Sequence, residues 1–127
     1  MIDHVSIAVR DLARATRFYE AALGAIGYTK LDVRTQTVGF GKRYSEFWLN
    51  DRPDMPVVPA GSGAHVCLRA RNAQAVDAFY AAALAAGAAS DGAPGERPHH
   101  GMGYYAAFIR DPDGNRIEVV TFLSKAD

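Results

Sequence analysis

Apolar and polar positions alternate from the start of the chain. Val5, Ile7 and Val9 share one face of an extended segment and His4, Ser6 and Ala8 the other, a period of two that predicts a half-buried strand. The period then lengthens. Leu12, Ala15, Phe18, Tyr19, Ala22 and Leu23 recur at helical spacing, behind Asp11 as a cap and ahead of Gly24 or Gly27 as a stop. The same succession returns in the second half. Val66, Leu68 and Ala70 form an apolar face, with His65, Cys67 and Arg69 opposite. Asn72 opens a helix carrying Val76, Phe79, Tyr80, Ala83 and Leu84, and Gly87 closes it. Laying His4 on His65 aligns Phe18-Tyr19 with Phe79-Tyr80 and Ala21-Ala22-Leu23 with Ala82-Ala83-Leu84, which identifies an internal repeat.

Three extended segments follow the first helix, at 28–34, 36–40 and 45–50, completing a β-α-β-β-β unit. Residues 53–64 hold prolines and glycines without periodicity and read as the connection between units. The second helix leads to a weak strand near Ala88 and a Gly/Pro-rich loop over 91–103. A hairpin then turns at Asp111-Pro112-Asp113-Gly114 and joins 104–110 to 115–122. The expected fold is α+β: two tandem βαβββ modules, 1–52 and 64–127 with a linker at 53–63, related by a pseudo-twofold and forming a curved mixed sheet around a central cavity.

Composition narrows the function. At 127 residues with 49% hydrophobic and 22% charged positions, the chain can bury a core as a single domain. Lys+Arg and Asp+Glu both total 14, so the surplus of positive charge that collects phosphates is absent, and neither nucleic acid nor a membrane surface is an expected partner. No apolar run has the length of a membrane span, and Met1-Ile2-Asp3-His4 lacks the plan of a signal peptide, so a cytoplasmic protein is expected. The single cysteine, Cys67, permits neither an internal disulfide nor a thiolate cage, which leaves His and carboxylates as ligands for any metal.

Each unit ends in a strand bearing a glutamate, Glu46 or Glu118, which alternation sends to the face that carries His4 or His65. If the units pack about a twofold, His4, Glu46, His65 and Glu118 converge as a divalent metal site with two positions open for a substrate's oxygens. The plain alternatives are a hydrogen-bonded histidine, a solvated Glu118 on an edge strand, and a Glu46 paired with Lys42 or Arg43. Pairing the hairpin outward from its turn sets Ala107 opposite Glu118, with Tyr105 on the same face as a candidate donor to a bound ligand, the alternative being a packed sheet tyrosine. Trp48 and Asn50 share the face of Glu46 and are candidates to line the cavity, against ordinary packing for Trp48. His100, in the glycine-rich loop, is a candidate lid residue. Cys67 reads as a small buried hydrophobe.

The runs His4-Val-Ser-Ile-Ala-Val-Arg-Asp, Phe18-Tyr19, His65-Val and Asp111-Pro-Asp-Gly-Asn-Arg-Ile-Glu118 together resemble the vicinal oxygen chelate superfamily. That superfamily includes glyoxalase I, extradiol dioxygenases, and fosfomycin- and bleomycin-resistance proteins. The resemblance spans essentially the whole chain. It implies metal positions at His4, His65 and Glu118, with Glu46 matching the extra glutamate that the glyoxalase I branch uses as ligand and base. It also implies a divalent cofactor, whether zinc, nickel, cobalt, manganese or iron. A glyoxalase-like lyase or isomerase would use Glu46 or Glu118 to move a proton between adjacent carbons of a small oxygenated substrate. No arginine pattern assignable to a glutathione carboxylate is evident. The rival from another class is a metal-free protein that sequesters a small molecule, with Trp48 and Tyr105 as stacking surfaces. A homodimer is the expected assembly, and the site closes either within one chain or across two.

Overall fold

The structure is a computed structural model that describes residues 1–59 and 61–124, so the last three residues of the expected second module lie outside the described residues. The first half contains β1 (Val5–Val9), α1 (Leu12–Gly24), β2 (Thr29–Val33), β3 (Thr37–Gly41) and β4 (Phe47–Asp51). The second repeats it with β5 (His65–Arg69), α2 (Ala73–Ala85), β6 (Ala89–Glu96), β7 (Tyr104–Arg110) and β8 (Arg116–Phe122). Both helices begin where the repeat places a cap: the Asp11 side chain accepts from the Arg14 N–H and the Asn72 side chain from the Ala75 N–H. Each cap is worth about 1 kcal/mol.

The strands order as β1-β4-β3-β2 and β5-β8-β7-β6. In each sheet the first and last strands run parallel, Val5 beside Phe47 and His65 beside Arg116, while the other pairs are antiparallel. The two expected tandem βαβββ modules are present, each as a four-stranded mixed sheet. β1 and β5 each pair on one side only, so the eight strands make two separate sheets that are not closed on each other. What joins the halves is the core. Val9, Tyr19, Phe40, Phe47 and Leu49 from the first half and Val76, Phe79, Ile109, Ile117 and Val119 from the second form one buried cluster, with α1 and α2 packed together. Both sheets therefore bury their helix-bearing face and leave the other face to the polar residues.

The last hairpin locks the halves together. Tyr19 donates its hydroxyl to Asp111 Oδ2 at 2.6 Å, and Arg10 donates through its backbone N–H and its Nε to Asp113 Oδ1 at 3.0 and 3.1 Å. Asn115 Nδ2 donates to the Ala8 carbonyl at 2.9 Å. Asp111, Asp113 and Asn115 are all buried, so these bonds satisfy polar groups that would otherwise be costly to desolvate.

Two expectations change. The Gly/Pro-rich segment after α2 is a strand as far as Glu96, because β6 is an edge bonded only to β7 and its register slips between Ser90 and Gly92 and again between Gly92 and Gly95. Such irregular edge pairing accommodates Pro94 and the glycines. The hairpin register is also one residue off the expected one. Asp111 accepts from the N–H of both Asp113 and Asn115, and the backbone closes from the Asp111 N–H to the Asn115 carbonyl. Phe108, not Ala107, thus stands opposite Glu118. A one-residue shift exchanges the two faces of a strand.

Candidate functional site

On the helix-free face of the second sheet, β5 aligns His65, Cys67 and Arg69 beside Arg116, Glu118 and Val120 of β8. Glu118 is only 4% exposed, and both of its oxygens are held: His65 Nε2 lies 3.1 Å from Oε1, and the Tyr104 hydroxyl donates to Oε2. A buried carboxylate without such partners would be strongly disfavoured. The His65 side chain remains 45% exposed, so the pair connects a buried acid to solvent. Desolvation first, then the bond to Glu118, push the Tyr104 hydroxyl up, which keeps it a neutral donor. Desolvation and the charge of Glu118 push the Cys67 thiol up to about 11. Cys67 is an exposed free thiol, not the buried hydrophobe expected.

The hairpin register decides which tyrosine takes part. Tyr105 turns to the helix side and donates to Asp77 Oδ1 of α2 at 2.7 Å, so it is a packing residue and does not face the ligand surface as expected. Tyr104 occupies that place. With two adjacent tyrosines on a strand, one must face each way, and that was the only signal in the sequence for Tyr104. His100 lies in a short 3-10 turn, Pro98–His100, and its ring sits 5.1 Å from that of Tyr104, one contact away from Glu118.

The first sheet offers a cleft of about 500 Å³ on its helix-free face, lined by His4, Ser6, Arg34, Ser45, Trp48 and Asn50 among others. Trp48 and Asn50 stand where alternation places them, and Trp48 carries the Arg34 guanidinium 4.8 Å above its ring. Glu46 does not join them in that cleft. Its N–H bonds the Phe40 carbonyl while Phe40 is also the register partner of Phe47, so two residues share one partner and the alternation is broken ahead of β4. Glu46 instead receives the Tyr28 hydroxyl at 3.4 Å. There it lines a smaller cavity of about 310 Å³ between the starts of β1 and β5, together with His4, Tyr28, His65 and Cys67. His4, its side chain 56% exposed, pairs through Nδ1 with Asp3 Oδ2 at 2.7 Å.

The donors expected for a metal are thus distributed as one close pair, His65 with Glu118, and two outlying groups, His4 and Glu46, on the rim of the same cavity. Their chemistry suits a divalent cation, but among the described residues no three His, Cys, Asp or Glu side chains stand close enough to hold one. Among the described residues two of these ligands converge, fewer than structural or catalytic sites normally use.

The repeat, the paired sheets and the histidine and glutamate at matching strand positions define a superfamily, and the sequence agrees. The profile of the Glyoxalase/Bleomycin resistance protein/Dioxygenase superfamily matches residues 1–119, and the chain belongs to it. It is similar to the crystal structure of a glyoxalase/bleomycin resistance protein from Albidiferax ferrireducens T118, with 30% identity over 93% of this chain and 96% of that one and a TM-score of 0.81. It is also similar to a lactoylglutathione lyase from Agrobacterium tumefaciens, with 26% identity over 94% and 92% of the two chains and a TM-score of 0.64. A glyoxalase/bleomycin resistance protein/dioxygenase family enzyme from Burkholderia phytofirmans PsJN, at 22% identity over 96% and 98% of the two chains and a TM-score of 0.73, shares the fold. No curated protein matches the chain. Among the described residues no helix is long and apolar enough to cross a membrane.

Proposed function

We propose that the protein is a glyoxalase-like lyase or isomerase, moving a proton on a small oxygenated substrate that lies against the helix-free face of the second sheet. The observation that carries this reading is Glu118: a buried carboxylate with one oxygen on a half-exposed imidazole and the other on a phenol held neutral. Glu118 Oε1 takes a proton from one carbon of the substrate and returns one to the adjacent carbon, while His65 Nε2, which reaches solvent, exchanges protons with the carboxyl group in between. The Tyr104 O–H fixes the other oxygen and so orients the carboxylate toward the substrate. Glu46, held by Tyr28, is the second base candidate on the rim of the adjoining cavity. Trp48 and Asn50 line the substrate surface of the first sheet, and His100 closes over Tyr104.

The second part of the reading is a homodimer. His65 and Glu118 of one copy and His4 and Glu46 of another complete the ligand number that a single chain lacks, and a divalent cation held by them would polarise adjacent substrate oxygens. The rival is a metal-free binding protein that sequesters its ligand. The test is turnover of aldehyde–thiol adducts by tag-free protein, with and without added zinc, nickel, cobalt, manganese or iron, beside Glu118→Gln. Metal-stimulated turnover lost in Glu118→Gln supports the proposal. Turnover unchanged in Glu118→Gln, or tight ligand binding with no turnover under any metal, overturns it.

A further inference from the structure

Cys67, the one cysteine of the chain, stands at the site itself. It is the register partner of Glu118 across the parallel β5–β8 pair, and its thiol is within hydrogen-bonding reach of both the Glu118 carboxylate and the Tyr104 hydroxyl. A carboxylate has about four acceptor positions, so Glu118 can serve His65 Nε2, the Tyr104 hydroxyl and this thiol together. Cys67 is exposed and lines the cavity of about 310 Å³ with His4, Glu46 and His65. A small molecule entering that space meets the sulfur with the carboxylate behind it.

Sulfur beside a carboxylate is a nucleophile beside its base. With its thiol pushed up to about 11, Cys67 keeps its proton at neutral pH and needs that base at the moment of attack, as a hydroxyl does. The reaction read above for this site acts on an adduct of an aldehyde and a thiol. Here the chain holds a thiol of its own against the base that would act on such an adduct.

We infer that Cys67 is the nucleophile of a further activity that needs no external thiol, the conversion of a 2-oxoaldehyde to a 2-hydroxy acid on the protein. The inference rests on the proton-transfer role of Glu118 proposed above. Cys67 Sγ adds to the aldehyde carbon, and the thiol proton passes through Glu118 to the aldehyde oxygen, giving a hemithioacetal. Glu118 then removes the hydrogen of that carbon as a proton. The electron pair left behind makes a double bond to the neighbouring carbon, whose carbonyl oxygen takes a proton to give an enediol. Return of a proton to the neighbouring carbon, with loss of the hydroxyl proton from the first, leaves a thioester of the 2-hydroxy acid on Cys67. One carbon is oxidised and its neighbour reduced, so no outside oxidant or reductant takes part. Water then attacks the thioester, the C–S bond breaks, the sulfur recovers its proton and the 2-hydroxy acid leaves.

The experiment gives methylglyoxal, without any added thiol, to the tag-free full chain, with and without zinc, nickel, cobalt, manganese or iron. It follows lactate together with the mass of the peptide containing Cys67 after rapid acid quenching. Lactate is expected to form, and during turnover the Cys67 peptide carries the mass of one aldehyde as a thioester that hydroxylamine removes. Cys67→Ser and Cys67→Ala, both folded by circular dichroism, lower lactate formation by about 100-fold or more. No lactate above the protein-free rate, no thioester on Cys67, or lactate formation unchanged in both variants overturns the inference. Turnover of the preformed methylglyoxal–glutathione adduct by a parent protein that makes no lactate from methylglyoxal alone sinks this inference and leaves the proton-transfer reading standing. A thioester that still forms on Cys67 in Glu118→Gln removes Glu118 as the base and leaves Cys67 as the nucleophile.

Discussion

Tyr19 of the first helix donates its hydroxyl to Asp111 of the last hairpin at 2.6 Å, both groups buried, so a bond between the two halves sits inside the common core. Removing the hydroxyl leaves Asp111 Oδ2 with Asn115 Nδ2 as its remaining donor, at 3.1 Å. Tyr19→Phe is expected to cost about 2 kcal/mol, the scale of a buried bond to a charged acceptor, read as a lower urea midpoint at unchanged slope. An unchanged midpoint would show that the turn holds without its link to the first half.

The same pair contributes to the alkaline dependence of stability. Burial first, then the charge of Asp111, raise the Tyr19 hydroxyl well above its ordinary 10.0. In the unfolded chain this phenol ionises near 10, while in the folded protein it stays protonated. Its contribution is therefore fully present below pH 10 and is lost as pH rises from there toward the folded value. The melting temperature should fall through that range in the parent and fall less steeply in Tyr19→Phe, which has no phenol to titrate at that position.

Adjacent tyrosines separate site from scaffold. Tyr104→Phe frees one oxygen of Glu118 and should lower turnover of aldehyde–thiol adducts by about 10- to 100-fold, the range for loss of a supporting hydrogen bond behind a functional carboxylate. Tyr105→Phe breaks only the bond to Asp77 and should leave turnover within about twofold while costing about 1 kcal/mol of stability. The reverse ranking in steady-state rates would mean that the hairpin register is the other one.

The repeat itself was legible in the sequence because each of its signals is local. Alternation in His4–Val9 and His65–Ala70, the caps Asp11 and Asn72, and the helical spacing of Phe18-Tyr19 and Phe79-Tyr80 depend on nearest neighbours along the chain. His65 and Glu118 were legible for the same reason. The misses trace to single added residues. Asn115 joins the turn because Asp111 binds two backbone N–H groups, and this turns Tyr104 to the helix-free face and Tyr105 to the helix side. Glu46 leaves its expected face because it shares Phe40 with Phe47.

The displacement of Glu46 has its own cause one strand earlier. A Cβ at Gly41 would stand 1.8 Å from the Tyr44 carbonyl oxygen, a backbone atom that cannot swing away. The turn over 42–44 folds tightly onto β3 only because position 41 has no side chain, and that turn delivers Glu46 to Tyr28. Gly41→Ala should therefore cost more than about 3 kcal/mol, measured by urea unfolding, and should disturb Glu46 before it disturbs the second sheet. A loss below about 1 kcal/mol would show that the turn can open without consequence.

Sharing of the site between two copies can be tested by mixing variants and following turnover of aldehyde–thiol adducts. If His4 of one chain serves the site built on His65 and Glu118 of another, His4→Ala and Glu118→Ala homodimers each contain only defective sites. A heterodimer contains one site with both defects and one with neither. Unfolding and refolding the two variants together at equal concentration yields about half heterodimers by random pairing, so activity should recover to about one quarter of the parent. A site closed within each chain can recover nothing, because every chain in the mixture carries a defect. Recovery near one quarter, scaling with heterodimer content across mixing ratios, would therefore identify the second copy as a contributor of residues and explain why His65 and Glu118 converge in one chain while His4 and Glu46 remain on the rim.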